Sequence, residues 1–238
     1  FTFSFAAGVS SDAATTIHFG LSASATSGDY TGSGSTSASI AAGDNSVTLI
    51  LPVINDDLAE GTETVILTTS TVSSPYGVSL TTPTLSLDIA DNDHAGLSIA
   101  DATVTEGNSG TASLDFTISL DKATGSPFTV AYSTSDGTAH TADNDYTAQS
   151  GTIHFSGLAG ESKTISVPVK GDRKIEGNET LGITLSSPSP DFSNSLTITQ
   201  ATASGTISND DSGANTISKT DGSEEGEEAG SFTFSLPA

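Results

Sequence analysis

The sequence predicts an all-β protein made of tandem antiparallel β-sandwiches, and three observations predict it. Short segments of alternating polarity are bounded by Gly, Asp, Asn, Ser or Pro, no window keeps helical periodicity for three turns, and the chain repeats itself at long range. Strands spaced this regularly, with turn chemistry between them, pack as an antiparallel sandwich rather than as a parallel sheet.

The strands follow in order. "FTFSF" at the start reads as the interior of a strand, and no charged-then-apolar leader precedes it, so the chain is expected to begin inside a longer one. Alternation then marks Val47 to Ile54, Thr84 to Ala90, Leu114 to Leu120, Phe128 to Thr134, Gly151 to Gly157, Lys163 to Val169 and Thr180 to Ser187. Each is short and rich in β-branched residues, which suit a pleated, half-buried surface. Pro52 and Pro168 fall inside two of these segments at matching places. Proline cannot donate to a ladder, so that strand is expected at an edge or bulged.

The matching prolines belong to an internal repeat. "LPVINDDLAEGTET" from Leu51 returns as "VPVKGDRKIEGNET" from Val167, and "SGDYTGSGS" from Ser27 returns as "DNDYTAQSG" from Asp143. Asp29 and Asp145 lie 116 positions apart, as do Glu63 and Glu179 and also Phe116 and Phe232. That period exceeds the 20–50 residues of solenoid repeats and fits complete domains in tandem. The expected organisation is a repeat over 1–94 lacking its first strand, a complete repeat over 95–211, and the first strands of a third over 212–238.

Composition narrows the function. The 238 residues contain no Cys, Met or Trp, so stability rests on packing, hydrogen bonds or hard-ion ligation rather than on disulfides or thiolate metal sites. Six basic residues against 29 acidic ones give a net charge of -23. Nucleic acid and anionic lipid need a cationic surface, so neither is an expected partner, whereas cations are. No apolar run is long enough to span a bilayer. Catalysis is not expected either: "GxSxG", "HExxH" and a phosphate-cradling glycine loop are all missing, and the four histidines are scattered.

The repeated blocks carry a family resemblance. "VTEGNSGTASLDFTIS" from Val104, "STSDGTAHTADNDYTAQSGTIHF" from Ser133, "EGNET" at Glu176 to Thr180 and the closing "DNDHAG" from Asp91 or "NDD" from Asn209 together resemble the Calx-beta family. The resemblance implies a seven-stranded immunoglobulin-like sandwich. Such domains occur in sodium-calcium exchanger regulatory regions, integrin subunits and large bacterial surface or matrix proteins. In the calcium-binding members, the ions sit where acidic loops converge at one end.

Physical reasoning reaches similar residues. Ca²⁺ takes six to eight oxygens at 2.3–2.6 Å, so carboxylates from separate segments must converge. In the first repeat the candidates are Asp29, then Asn55, Asp56, Asp57, Glu60 and Glu63 in the stretch "NDDLAEGTET", then Asp91, Asn92 and Asp93. A divalent ion there turns mutual repulsion into shared attraction. Carried over position by position, the family's ligands in the second repeat are Glu106, Asp145, Asp172, Glu176, Glu179, Asp210 and Asp211, and Glu225 is the counterpart of Glu106 in a third. The second repeat departs from the pattern: Gly171, Arg173 and Asn209 stand where acids are common, and Lys174 adds another positive charge. A unit charge about 6 Å away is worth on the order of 3 kcal/mol at an effective dielectric near 20, so weaker binding is expected there.

Two non-catalytic functions follow as expectations. One is a calcium-rigidified structural module of a secreted or cell-surface bacterial rod or filament, whose partners are neighbouring repeats or copies of itself joined in part by strand complementation. The other is an adhesin or calcium-sensing module whose loops engage a cell-surface or matrix ligand.

Overall fold

The structure, a computed structural model, describes residues 1–32, 34–186, 188–192, 195–213, 216–222 and 230–235. Glu225 lies outside them. Every regular element among the described residues is a strand. In the first repeat these are β1 (Thr2–Ser4), β2 (Thr15–Ala23), β3 (Ser37–Ile40), β4 (Ser46–Thr48), β5 (Glu63–Ser73) and β6 (Thr84–Ile89). They form a four-stranded antiparallel sheet, β3-β2-β5-β6, facing the β1-β4 pair.

The second repeat comprises β7 (Ala95–Ile99), β8 (Ala102–Thr105), β9 (Gly110–Leu120), β10 (Phe128–Asp136), β11 (Ser150–Phe155), β12 (Ser162–Gly171), β13 (Glu179–Leu185), β14 (Leu196–Gln200) and β15 (Thr202–Ser208). Its two sheets run β11-β10-β13-β15-β8 and β12-β9-β7-β14. The first four strands of the larger sheet reproduce β3-β2-β5-β6, and the β12-β9 pair reproduces β4-β1. Beyond lies a hairpin of β16 (Thr216–Thr220) and β17 (Ser231–Ser235). Its Ile217↔Phe234 pair matches Ile99↔Ile118 between β7 and β9.

The antiparallel expectation needs one correction: β14 pairs with β7, and β15 with β8, in parallel. β7 and β8 are two halves of one run that crosses between sheets at Ala100 and Asp101. The Asp101 Oδ1 fixes the crossing by accepting the Ser204 amide at 2.7 Å. A strand shared between two sheets meets its last neighbours in the parallel sense. The proline expectation divides between the repeats. Pro168 lies within β12, an edge strand, opposite Ser113, where a missing donor breaks no interior ladder. Ladder pairing of β4 stops at Thr48, so the strand expected over Val47 to Ile54 is shorter, and Pro52 instead uses its carbonyl to accept the Thr31 amide.

Period-two burial builds the core. β9 turns Leu114, Phe116, Ile118 and Leu120 inward, where they meet Phe128, Val130, Phe155, Val167, Leu181 and Ile183. Burying each such side chain is worth roughly 1.5–3 kcal/mol. The first repeat has two smaller clusters, one around Phe3, Ile17, Phe19, Ile40 and Leu67, the other around Ala25, Tyr30, Leu51 and Val65. Its β6 keeps Leu85 and Leu87 about 40% exposed, where β15 in the second repeat buries Ala203 and Ile207 under additional strands. Tyr30 and Tyr146 are buried corner residues, each bridged to the strand region opposite, at Val53 and Val169.

Candidate metal sites at the loop tips

The candidate sites are set by register. Glu63 begins β5 opposite Ile89 at the end of β6, which brings the loop holding Glu60 beside Asp91 two residues further on. Asp29 enters from the other side because the Asp29 carbonyl accepts the Ile54 amide at 2.7 Å, pinning the Asp29 loop to the Asn55 loop. The second repeat copies this bond: the Lys170 amide donates to the Asp145 carbonyl at 2.8 Å. Local turns then aim the carboxylates. Asp56 Oδ1 accepts the Leu58 amide at 2.9 Å and Asp172 Oδ1 accepts the Lys174 amide at 2.7 Å, the same self-capping turn at equivalent positions.

Three groups of carboxylates result: Asp29, Glu60 and Glu63; Asp145, Glu176 and Glu179; and Glu106, Asp210 and Asp211. Within each group, one oxygen per residue lies within 4.8 Å of the others. Two oxygens each about 2.4 Å from one Ca²⁺ can be no farther apart than that, so each group fits the radius of such an ion. The first two groups are equivalent members of the repeat. Asp29, Asn55, Asp56, Glu60, Glu63, Asp91 and Asp93 all line one cavity of about 110 Å³. Asp57 is exposed and lies outside its lining.

The third group is assembled by the parallel β15–β8 pairing, which sets Val104 against Ile207 and so carries Glu106 to Asp210. Both Asp210 oxygens are engaged, by the Gly107 amide at 3.0 Å and Asn108 Nδ2 at 3.3 Å. Asp211 is half-buried, but its Oδ2 is shut off from solvent with no hydrogen-bond partner. An orphaned carboxylate oxygen beside two more carboxylates is a defect that a cation would repair. Gly171 fits here as well: a Cβ at that position would collide with the Glu106 and Gly107 backbone, so a side chain could enter only if that backbone shifted.

Electrostatics follows the geometry. Burial, reinforced by Asp29 nearby, pushes Glu60 and Glu63 up to about 7. Glu106 is likewise raised to about 7, by burial and then by Asp172, Glu176, Asp211 and Asp210. Burial also raises Glu179 and Asp211, with Asp145 and Asp210 respectively adding most of the like charge. Asp29 behaves oppositely. Burial alone would raise it, but bonds from the Thr26 hydroxyl (2.7 Å) and amide outweigh that and hold it below the usual range. Without metal and below about pH 7, the first group therefore keeps Asp29 ionised and holds its protons on the two glutamates.

The first group is also pressed against the following repeat. Asp91 Oδ2 accepts the Glu60 and Gly61 amides at 3.0 and 3.3 Å, and its Oδ1 accepts the Asp93 amide at 2.9 Å. Ala59 bridges Thr124, and a Cβ at Gly125 would collide with the Glu60 side chain. Gly61 needs its φ of +94°, and a Cβ there would approach the Phe192 carbonyl oxygen to 2.9 Å. Sequence reasoning missed Gly125, Phe192 and Ser195, whose side chain bonds Asp91. These residues carry no charge and lie far from the loop in sequence, so no local pattern marks them.

The fold and these tips define a class, β-sandwich repeats in tandem with carboxylate clusters at their ends. The sequence profile of the Calx-beta domain matches residues 88–211, more than half of the chain, and the chain belongs to the Calx-beta domain family. Among solved structures, the apo form of the Calx CBD1 domain is 24% identical, covering 50% of this chain and 100% of that one with a TM-score of 0.40. CBD12 from CALX1.2 is 18% identical over 87% of this chain and 92% of that one, with a TM-score of 0.36. The calcium binding domain CBD12 of CALX1.1 is 16% identical over 82% and 87%, with a TM-score of 0.34. A comparison with curated proteins finds no match.

Proposed function

We propose that this chain is a non-catalytic, calcium-binding structural segment of a secreted or cell-surface array, in which calcium stiffens the junction between repeats. One observation carries the reading: the Asp29, Glu60 and Glu63 carboxylates converge where their own loop is hydrogen-bonded through Asp91 to the junction. An ion drawing Glu60 and Glu63 toward Asp29 fixes the loop that rests on Thr124, Gly125 and Phe192. The second repeat supports an array: Ile175, the counterpart of buried Ala59, is 58% exposed, as a surface meant for a further repeat would be.

Binding to the folded state alone stabilises by RT ln(1 + [L]/Kd), roughly 2.7 kcal/mol at a hundredfold excess. Millimolar extracellular calcium keeps even modest sites filled, so a constitutive structural role fits better than switching. Chelation is expected to lower the Tm and widen the distribution of angles between repeats seen by small-angle scattering. Replacing Asp56 and Glu63 with Ala removes most of that sensitivity. A melting curve that chelator does not move rules the reading out.

Strand complementation between repeats has its own support. An apolar groove of about 560 Å³ lies between β1 and the segment from Val78 to Leu85, lined by Phe3, Phe5, Ile17, Leu67 and Leu80 among others. In the second repeat β7 fills the equivalent place, between β9 and β14. β16 is the repeat counterpart of β7 and leaves Ile217 67% exposed. A β16-type strand from a neighbouring repeat or copy fits the groove, and a Tm of the first repeat unmoved by a synthetic Thr216–Thr220 peptide in excess would count against it.

A further inference from the structure

The junction between the repeats is a loop tip resting on a seat. Ala59, at the tip of the first repeat, donates its amide to the Ala123 carbonyl at 3.0 Å and accepts the Gly125 amide at 3.2 Å. Gly61 lies close against the Phe192 backbone, and Ala59, Thr124 and Phe192 are buried as a result. The chain carries a counterpart of each half. Ile175 stands in the place of Ala59 at the second loop tip, is exposed, and makes no main-chain hydrogen bond among the described residues. The counterpart of the seat lies on the first repeat, at the end of β1 away from that repeat's own loop tip. Register sets the correspondence: Thr2 faces Thr48 as Thr117 faces Thr164, which puts Val9 in the place of Thr124 and Ser10 in that of Gly125. Tyr76 stands where the second repeat has Phe192, since "YGVSL" from Tyr76 corresponds to "FSNSL" from Phe192. A cavity of about 510 Å³ lies there, lined by Phe5, Val9, Ser10, Asp12, Tyr76 and Val78 among others. Val9 and Tyr76 are each about half exposed. The Gly8 carbonyl and the Ser10 amide, counterparts of the two groups that hold Ala59, are unpaired among the described residues.

We infer that the Ile175 loop of one chain docks in the cavity beside Val9 and Tyr76 of a second copy, so that chains associate head to tail. The inference rests on the array reading above and names the surface that receives Ile175. The junction identifies the occupant: what rests on Thr124, Gly125 and Phe192 is the loop from Ala59 to Gly61, and its counterpart is the loop from Ile175 to Gly177. Docked in the same way, the Ile175 amide donates to the Gly8 carbonyl and the Ser10 amide donates to the Ile175 carbonyl. The cavity gives the larger side chain the room that the closed seat of Ala59 lacks, and covering Ile175, Val9 and Tyr76 removes apolar surface from water. Charge is complementary as well: two of the six basic residues, Arg173 and Lys174, precede Ile175, and Asp12 stands on the cavity wall. Two different surfaces meet, so each contact leaves a free loop at one end and a free cavity at the other, and the assembly stays open. A single loop in one cavity is a small interface, and interfaces below about 1,200 Å² are weak.

Sedimentation equilibrium on the 238-residue chain in millimolar calcium tests this. At loadings up to about 1 mM the weight-average mass should climb above 23.8 kDa without levelling at a dimer. Ile175→Asp disables the loop and Val9→Asp disables the cavity, and each variant alone should stay monomeric. Mixed, the two should form a one-to-one pair and nothing larger, because each keeps the surface that the other lacks. That pairing also shows both variants to be folded. Leu158→Asp makes a similar change at an exposed position away from both surfaces and should associate as the parent does. A parent chain that stays monomeric overturns the inference, and so does a mixture of the two variants that stays monomeric. Association that survives Ile175→Asp or Val9→Asp overturns it too, because it runs through another surface such as β16, and in that case the array reading stands. The calcium reading is decided separately, by the melting curve in chelator.

Discussion

Protons and calcium should compete for the first carboxylate group, with a size set by its geometry. Glu60 and Glu63 are raised by burial and by Asp29 from 4.5 to about 7. A glutamate raised in the folded state binds its proton more tightly than in the unfolded chain. The stability that proton confers is complete below 4.5 and is lost as pH rises through about 7. The metal-free chain is therefore less stable at pH 8 than at pH 6. Calcium needs both anions, so its affinity follows the opposite trend. With both groups titrating near 7, the doubly ionised form is about 100 times more populated at pH 8 than at pH 6, which makes Kd roughly 100-fold weaker at the lower pH. Asp29, held low by Thr26, stays ionised throughout and contributes nothing to the slope. Calorimetric titration at pH 6, 7 and 8 measures this in a chain carrying Glu106→Gln and Glu179→Gln to isolate the first group. At pH 7, repeating it in buffers of different ionisation enthalpy should show about one proton released per ion bound. A Kd that moves less than threefold between pH 6 and 8, or binding without proton release, would refute the reasoning.

Three further outcomes follow. Gly125→Ala should weaken calcium binding at the first group by tenfold or more in the same titration, although Gly125 holds no ligand, because its Cβ displaces the Glu60 side chain. Asp91→Ala strands the Glu60, Gly61 and Asp93 amides, and at about 1–3 kcal/mol for each buried donor left without a partner it should lower the Tm and speed hydrogen exchange at Glu60 and Gly61. Phe116→Ala removes a fully buried ring from the larger core and should cost about 3–5 kcal/mol in denaturant unfolding.

The repeat and the alternation of polarity determined the fold class from sequence alone, because strand periodicity and turn residues are local properties of the chain. The same local signals outlined Thr84 to Ala90, Leu114 to Leu120 and Phe128 to Thr134, which the structure forms as β6, part of β9 and part of β10. They overextended the strand after Val47, since a strand lasts only as far as its partner pairs with it. They also gave no sign that the Ala95 to Thr105 run changes sheets at Ala100 and Asp101, which creates the two parallel pairings. Acidic residues were legible as candidates by type and spacing. Tertiary structure alone decided that Asp29 meets Glu60 and Glu63 while Asp57 stays outside, that Asp211 hides an unpartnered oxygen, and that Gly125 and Phe192 form the seat of the first loop. The reason is distance along the chain: an alternating pattern is written within a few residues, whereas convergence at a sandwich tip depends on how strands far apart in sequence register against one another.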